Sequence, residues 1–347
     1  MTPSIMLGNR RISATDSTYI IAEVGVNHNG DVALAHRMID AAREAGADAV
    51  KFQTYRTQDL VLEHTPKASY QQKLTGEGSQ QDMLRSLELP FDDFVALRDH
   101  CRQVGIDFMS TAFDPVSLEF VATLKPICLK WPSGELTNWP LLRQARDIAL
   151  PLMLSTGMGS LREIAAAVDL MGQDAQIVIL QCVSNYPARI EDQNLRVLPA
   201  IQAAFGMPVG FSDHTIGPYA ALAARALGMS VLEKHFTLDR TMKGPDHASS
   251  IEPKEFSAMI KVLRAVEAGL GDGVKRASNT EEDVKVAARK SLVYRNDLAC
   301  GHVLREQDLT IKRPGIGVPP DRLEMIVGRS LTRDVAVDTL LQIEDVR

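Results

Sequence analysis

Two histidines follow two successive apolar runs of the chain, each close to the point where its run ends. His214 lies in GFSDHTIGP, directly after the apolar MPV, and His235 lies in ALGMSVLEKHF, the next apolar run. If the two runs are neighbouring parallel strands, the imidazoles meet at one edge of the sheet. Two imidazoles without a thiolate partner suit a divalent ion such as Mn²⁺, whose remaining positions take oxygen ligands. The alternative is that each histidine satisfies a buried hydrogen bond or lies on the surface.

Two lysines lie inside apolar runs, Lys51 in ADAVKFQ and Lys130 in PICLKW. An unpaired ammonium is unfavourable in such surroundings, so each lysine requires a partner anion. That partner is either an internal carboxylate, with Glu23 and Glu135 as candidates, or an anionic substrate. Hydroxyl residues near the ends of the runs favour the substrate, because lysines among hydroxyl donors resemble a phosphate cradle. These residues are Ser110, Thr111, Ser133, Ser155 and Ser212.

Three carboxylates are candidates for proton transfer or for binding sugar hydroxyls, namely Glu23, Glu135 and Asp246. Glu135 follows Gly134 in WPSGEL, a tight turn at the end of an apolar run, and we expect the other two on the same face of the fold. The alternative for each carboxylate is a helix N-cap or a solvated acid in a loop. The residues alone leave both interpretations open.

Short apolar runs alternate with amphipathic stretches of helical length between Tyr19 and Leu270. Near-continuous apolar character in short runs is typical of the buried strands of a parallel sheet covered by helices. Eight such units predict a (β/α)8 barrel, and the alternative is an open doubly wound sheet. No GxGxxG follows the first run, which disfavours a dinucleotide-binding fold. The runs are YIIAEV, ADAVKFQ, IDFMST, PICLKW, PLMLST, QIVILQC, PVGFS and SVLEKHF.

Polar residues stand at the carboxyl end of nearly every run, and in a barrel these ends form the one face that carries the active site. The helices that follow have recognisable end signals. Asp31 predicts an N-cap, and Gly46 lies just past the end of the same helix. Pro253 opens another helix, which Gly269 is expected to close.

The chain changes character beyond Gly271. Residues 271–290 are charged and poor in large apolar side chains, which predicts a linker with a short helix capped by Thr280 and Asp283. Residues 291–347 contain short β-like pieces between Gly and Pro turns, which predicts a second, small β-rich domain. We therefore expect a catalytic barrel over residues 1–270, a linker over 271–290 and a small domain over 291–347.

Composition narrows the classes of partner. The 347 residues carry a net charge of −6 with both signs interspersed, so neither nucleic acid nor a membrane is expected to bind. The N-terminus has no apolar signal core, and no apolar stretch approaches the length of a spanning helix. The four cysteines lie far apart without metal-like spacing, so we expect a cytoplasmic protein without disulfides.

Six motifs resemble, in order and spacing, those of the sialic acid synthase family, whose members condense phosphoenolpyruvate with an N-acylated hexose. They are IAEVGVNHNGD, GADAVKFQTY, KWPSGELTN, LSTGM, GFSDHTIGP and LEKHFTLDRTMKGPDHASS, and the resemblance resumes at IKRPGIGVPP. The resemblance implies a (β/α)8 barrel followed by an antifreeze-like (SAF) domain. It also implies a domain-swapped homodimer in which each small domain covers the barrel of its partner.

The resemblance further implies roles for individual residues. His214 and His235 match metal ligands, for Mn²⁺ foremost and for Mg²⁺ or Co²⁺ otherwise, while Glu135 matches an acid that handles protons. Arg313 matches an arginine that reaches from the small domain to the acyl amide of the sugar. The residues that match contacts to phosphoenolpyruvate are Lys51, Thr111, Lys130, Ser133, Ser155 and Ser212. Contacts to the sugar hydroxyls are matched by Glu23 and Asp246. The expected substrate site is completed by Gln53, Ser110, Tyr186 and either Ser184 or Asn185 of VSNYP.

The implied reaction joins phosphoenolpyruvate to open-chain N-acetylmannosamine and yields N-acetylneuraminate and phosphate by C–O cleavage. The first alternative is the same chemistry on another sugar, and GPDH and KRPGIG resemble the sialate and legionaminate branches more than the pseudaminate branch. The second alternative is a barrel that binds sugar phosphates without turnover, which the intact histidine pair disfavours.

Overall fold

The computed structural model describes residues 2–347, which divide into two compact units. The first unit ends at Gly271, and the second comprises Asp272–Arg347. The segment predicted as a linker, 271–290, therefore belongs to the second unit except for its first residue.

The first unit contains ten strands. They are β1 (Ser4–Leu7), β2 (Arg10–Ser13), β3 (Tyr19–Gly25), β4 (Ala49–Thr54), β5 (Asp107–Ala112), β6 (Leu129–Trp131), β7 (Leu152–Ser155), β8 (Ile177–Cys182), β9 (Val209–Asp213) and β10 (Val231–His235). The strands from β3 to β10 are parallel and form a closed barrel in which β10 pairs with β3. Each of the eight apolar runs supplies one barrel strand, which confirms the predicted fold class.

Each barrel strand is followed by at least one helix, and three extra short helices lie between β4 and the helix that precedes β5. The helices of this unit are α1 (Val32–Ala45), α2 (Thr57–Leu60), α3 (Ser69–Thr75), α4 (Gln80–Leu87), α5 (Phe91–Val104), α6 (Pro115–Thr123), α7 (Trp139–Ile148), α8 (Leu161–Met171), α9 (Val197–Phe205), α10 (Tyr219–Ala226) and α11 (Pro253–Leu270). Their apolar faces pack on the outside of the barrel in one continuous core.

The end signals read from the sequence are confirmed for α1 but not for the end of α11. Asp31 caps α1 by accepting hydrogen bonds from two backbone amides of its first turn, and Gly46 ends the helix with a φ of 96°. Gly269 was predicted to close α11, but the helix continues through it to Leu270. The residue with a positive φ is Gly271, at 63°, so the backbone leaves the helix there.

The antiparallel hairpin of β1 and β2 seals the amino end of the barrel. Ile5, Leu7 and Ile12 from the hairpin are buried in one cluster with barrel side chains such as Tyr19 and Met153. Because these are large apolar groups, the interior below the active face is a packed core and not a channel.

The second unit is small and β-rich. It contains α12 (Glu282–Ala288), α13 (Leu323–Ile326) and the antiparallel pair β11 (Ser291–Tyr294) and β12 (Leu309–Lys312), with further isolated bridges. The predicted cap at Thr280 and Asp283 is wrong. Ser278 and Glu281 form the capping box, and a 3₁₀ turn over Asn279–Glu281 leads into the helix.

Two expectations from composition can be compared with the structure. The four cysteines are all unpaired, and only Cys300 is exposed. Among residues 2–347, no helix is both long enough and apolar enough to cross a membrane.

Candidate active site

A cavity of about 420 Å³ lies at the carboxyl ends of the barrel strands. Most of the predicted site residues line it, as the strand-end argument requires. These residues are Glu23, Lys51, Gln53, Thr111, Lys130, Ser133, Ser155, Ser184, Tyr186, Ser212, His214, His235 and Asp246.

Lys51 lies at the centre of the charged part of the cavity. Its Nζ donates to Thr111 Oγ1 at 3.0 Å and lies 2.9 Å from Glu23 Oε2. A second carboxylate, that of Glu233, lies 3.6 Å from the same nitrogen. The side chains of the lysine and both glutamates are at most 7% exposed, so this ammonium is balanced by internal anions.

Lys130 forms the other half of this network. Its Nζ donates to Ser155 Oγ at 2.8 Å and lies 3.5 Å from Glu233 Oε1. Ser212 donates to the same Glu233 oxygen at 3.2 Å, and its hydroxyl also lies 3.2 Å from that of Ser155. One carboxylate is therefore shared by two lysines and a hydroxyl.

Burial and charge move the pKa values of the two glutamates in opposite directions. Burial raises the pKa of Glu23 to about 7, against the opposing effect of Lys51, and the charge of Glu233 adds to the rise. Burial also disfavours the ionised form of Glu233, but Lys130 and Lys51 together outweigh it and lower the pKa of Glu233 to about 2. At neutral pH the cavity therefore holds one fixed anion and one carboxyl that exchanges its proton.

His214 and His235 meet at the adjacent ends of β9 and β10, with their ring centroids 5.5 Å apart. His214 Nδ1 lies 2.7 Å from the carbonyl oxygen of Val183, and because a carbonyl only accepts, Nδ1 carries the hydrogen. The lone pair of the neutral ring is then on Nε2. His235 is buried, and its Nδ1 has no hydrogen-bond partner in the described chain.

Both imidazoles are neutral at physiological pH. Burial lowers the pKa of His214, and it lowers the pKa of His235 well below the ordinary value. Two neutral rings with available lone pairs form a donor set that suits a mid-series divalent cation. Within residues 2–347, no group of three or more His, Cys, Asp or Glu side chains is arranged to hold a metal by itself.

Tyr186 packs its ring against both histidines. Its centroid lies 4.2 Å from that of His214 and 5.3 Å from that of His235, and Tyr70 of α3 lies 5.4 Å away on the other side. The aromatic stack limits the rotation of the imidazoles and connects the extra helices after β4 to the active face.

Four predicted site residues are not among those that line the cavity. Ser110 lies on the opposite face of β5, where its hydroxyl bonds that of Thr54 at 2.7 Å. The carboxylate of Glu135 accepts a hydrogen bond from Asn138 at 2.6 Å. Of the pair in VSNYP, Ser184 lines the cavity, whereas Asn185 is exposed and its side chain accepts a hydrogen bond from the next backbone amide. Arg313 belongs to the second unit, where its Nε donates to the carbonyl of Ala288.

Glu233 is a site residue that was not predicted, although its carboxylate lies near both lysines. The sequence does contain the signal, because Glu233 and His235 are two apart on one strand and therefore face the same side. A second unpredicted feature is an apolar wall of the cavity, formed by Val26, Met83, Leu84, Leu87, Phe113 and Met158. Three of these six residues lie on α4, and no motif or periodicity in the sequence indicates that this helix contacts the cavity.

Comparisons with known proteins agree with this arrangement. Residues 38–275 match the NeuB family, and residues 289–347 match the SAF domain. The chain belongs to the NeuB family. It is 40% identical to the N,N'-diacetyllegionaminic acid synthase of Legionella pneumophila over 98% of this chain and 99% of that protein. Its identity to the N-acetylneuraminate-9-phosphate synthase of Homo sapiens is 34%, over 96% of this chain and 94% of that protein.

A solved structure gives the same result. The crystal structure of the N-acetylneuraminic acid synthetase of Leptospira borgpetersenii, in complex with citrate, matches with a TM-score of 0.73 at 33% identity. The match covers 82% of this chain and 95% of that chain. The members of the NeuB family are phosphoenolpyruvate-dependent synthases that form a carbon–carbon bond, and this protein is an enzyme of that type.

Asp246 provides a test of the electrostatics of the cavity. Burial raises the pKa of this carboxyl to about 6, and it makes no ion pair in the described chain. Because the folded protein binds this proton more tightly than the unfolded chain, Asp246 destabilises the fold increasingly as pH rises from about 4 to 7. We expect Asp246→Asn to increase the free energy of unfolding by roughly 3 kcal/mol at pH 8 and by well under 1 kcal/mol at pH 4.

Urea unfolding of both proteins across this pH range measures the difference. Replacement of the exposed Asp174 by Asn is the control, and it should give no gain that grows with pH. A stability difference for Asp246→Asn that does not change between pH 4 and pH 8 would contradict the assignment.

Proposed function

We propose that the enzyme condenses phosphoenolpyruvate with an open-chain N-acylated aldose to give a nine-carbon keto acid and inorganic phosphate. The observation that carries this proposal is the convergence of two buried lysines with two neutral imidazoles in one cavity. The lysines suit an anionic substrate, and the imidazoles suit the cation that activates an aldehyde.

The lysines bind the phosphate and carboxylate of phosphoenolpyruvate in this proposal. Lys51 with Thr111 and Lys130 with Ser155 each offer an ammonium beside a hydroxyl, at 3.0 and 2.8 Å. Because these donors are buried, they stabilise developing negative charge more strongly than they would in solution. Glu233 favours the charged form of both lysines, although burial still lowers the pKa of Lys130, and it holds both ammonium groups in place when no substrate is bound.

His214 and His235 would hold a divalent cation, Mn²⁺ in the first place and Mg²⁺ or Co²⁺ otherwise. The fit rests on the lone pair of His214 Nε2 and on the unpartnered Nδ1 of buried His235. When bound, such a cation acts as a Lewis acid that polarises the carbonyl of the sugar.

The reaction balances with these groups. C3 of phosphoenolpyruvate bonds to the aldehyde carbon, whose oxygen takes up a proton, while water adds at C2. The bond from C2 to the bridging oxygen then breaks, and phosphate leaves. Glu23, with its pKa of about 7, lies beside Lys51 and is able to hold or release a proton during this sequence. The proton-handling role of Glu135 stays a prediction. Glu135 is not among the residues that line the cavity, and its carboxylate accepts a hydrogen bond from Asn138.

The sugar is best described as the diacetamido aldose that remains when the three pyruvate carbons are removed from N,N'-diacetyllegionaminic acid. Two observations support this choice over N-acetylmannosamine, which the sequence alone favoured. The identity to a synthase of that acid is 40%, against 33% to an N-acetylneuraminic acid synthetase. The apolar wall that includes Met83 and Leu84 also suits a second acetyl methyl group better than a hydroxyl.

Phosphate release from phosphoenolpyruvate tests the reaction. With Mn²⁺ present, release should require a sugar, and the diacetamido aldose should be used more efficiently than N-acetylmannosamine. Phosphoenolpyruvate labelled with ¹⁸O at the bridging position should deliver the label to phosphate.

His214→Ala or His235→Ala should remove nearly all turnover, whereas His64→Ala, at an exposed position, should not. Near-normal turnover by either variant in chelator-treated buffer would contradict the metal assignment.

Leu84→Asn tests the choice of sugar. Polar substitution of this wall residue should reduce kcat/KM for the diacetamido aldose by about tenfold and leave the KM for phosphoenolpyruvate unchanged. Leu74→Asn is the matched control, because Leu74 is 41% exposed on α3 and does not line the cavity. Equal effects on both sugars would remove the support that the wall gives to the diacetamido substrate.

We also propose a homodimer in which each subunit supplies Arg313 to the barrel of its partner. By its resemblance to the family motif, Arg313 of KRPG matches the arginine that reaches the acyl amide, and the residue is exposed. A planar guanidinium suits an amide carbonyl and the hydroxyls beside it.

Mixed dimers test this sharing. His214→Ala and Arg313→Ala chains should each be nearly inactive, and a mixture that exchanges subunits should regain activity, because one barrel and one Arg313 remain intact together. A mixture of His214→Ala with His235→Ala should regain nothing, since every barrel lacks one histidine. If the first mixture also stays inactive despite proven exchange, Arg313 does not act across the dimer.

A further inference from the structure

A buried ion pair lies behind the histidines, on the face of the strands that points away from the cavity. Lys234 Nζ donates to Asp213 Oδ2 at 2.7 Å, and the two side chains are 3% and 0% exposed. The two residues are register partners where β9 and β10 run side by side. The cavity residues Ser212 and Glu233 precede them, and successive side chains of a strand point to opposite faces. The pair therefore lies outside the cavity.

The same two side chains also hold the backbone on the far side of His214. Asp213 Oδ1 accepts hydrogen bonds from Thr215 N at 2.9 Å and from Thr215 Oγ1 at 2.7 Å. Lys234 donates a second bond, of 2.8 Å, to the carbonyl oxygen of Thr215. Both neighbours of His214 are thus bonded to the residue that precedes His235.

Stability alone is a poor reason for such a pair. Removing two charges from water is expensive, and well-packed apolar side chains often stabilise a fold equally well at the same place. What apolar groups cannot do is make directed bonds to a carbonyl, an amide and a hydroxyl at once. The pair therefore fixes the orientation of the ends of β9 and β10 relative to each other, which apolar contacts alone would not do.

We infer that Asp213 and Lys234 are positioning residues that hold His214 and His235 at the separation a divalent cation requires. This inference rests on the proposed function, because it treats the two histidines as ligands of one cation. Residues behind metal ligands commonly set the orientation of those ligands, and their loss weakens metal binding by about 10- to 100-fold.

The test is a double variant, Asp213→Asn with Lys234→Met, in the full-length protein. It removes both charges together, so no unpaired charge remains buried, and the amide oxygen of Asn still accepts from Thr215. Far-UV circular dichroism and thermal unfolding report folding. Mn²⁺ binding is measured by the electron paramagnetic resonance signal of the free aqueous ion, without substrates and independently of turnover.

The expected result is a folded protein whose Kd for Mn²⁺ rises by at least about tenfold. The matched control is Arg225→Met with Glu267→Gln, which removes a buried ion pair whose Arg225 bonds the backbone that precedes β3. Its Kd for Mn²⁺ should equal that of the wild type, whatever its stability. Thr215→Val serves as a second variant if the first does not fold. It removes only the hydroxyl bond to Asp213, and it should raise the Kd several-fold with the ion pair intact.

The outcomes separate the inference from the function on which it rests. Wild-type affinity in the folded double variant, or in Thr215→Val when the double variant does not fold, overturns the positioning role and leaves the metal site standing. An equal loss of affinity in the Arg225 control overturns it as well, since a general loosening of the barrel then explains the effect. Absence of Mn²⁺ binding by the wild type overturns the metal site itself, and the positioning role with it.

Discussion

Two ammonium groups have to remain charged although their side chains are at most 4% exposed. Lys51 and Lys130 meet this constraint by sharing Glu233, with Glu23 as a further partner for Lys51. The carboxylates come from the first and last strands of the barrel, which become neighbours only when the barrel closes. An open sheet would separate β10 from β3 and move Glu233 away from both lysines. Closure of the barrel is therefore what assembles the charged groups of the cavity.

The sequence predicted the barrel because its main signal is local. Each strand is a short apolar run buried on both sides, and each is followed by a stretch with helical periodicity, so neither required knowledge of distant contacts. The misplaced boundaries have local causes too. A glycine is compatible with helical backbone, so Gly269 does not by itself end α11, and the positive φ that leaves the helix is found two residues later, at Gly271. The β1–β2 hairpin could not be foreseen as the barrel floor, because its apolar residues acquire that role only by contact with the barrel interior.

The candidate site was predicted as far as position along a strand determines it. The rule that strand ends meet placed Lys51, Lys130 and both histidines together, which the cavity confirms. It failed where the face of the strand matters, since Ser110 is adjacent to Thr111 and must point the other way. The wall from α4 lay beyond prediction for another reason. The short helices α2, α3 and α4 are inserted between β4 and α5, and tertiary packing such as the contact between Tyr70 and Tyr186 positions them. The periodicity of a sequence does not encode such a contact.

The sealed amino end of the barrel leaves its carboxyl face as the route by which molecules reach the cavity. Lys51 lies two residues nearer that end than Gln53 on the same strand, and Glu233 lies two residues nearer it than His235, so the anion site is the deeper layer. With the hairpin side chains of Ile5, Leu7 and Ile12 packed beneath it, that layer is reached from the opposite side. If phosphoenolpyruvate binds at the lysines, as proposed above, it arrives before the sugar, because the sugar then covers that layer. In the same binding mode, the nine-carbon product stands between the freed phosphate and bulk water after reaction, and phosphate is expected to leave last.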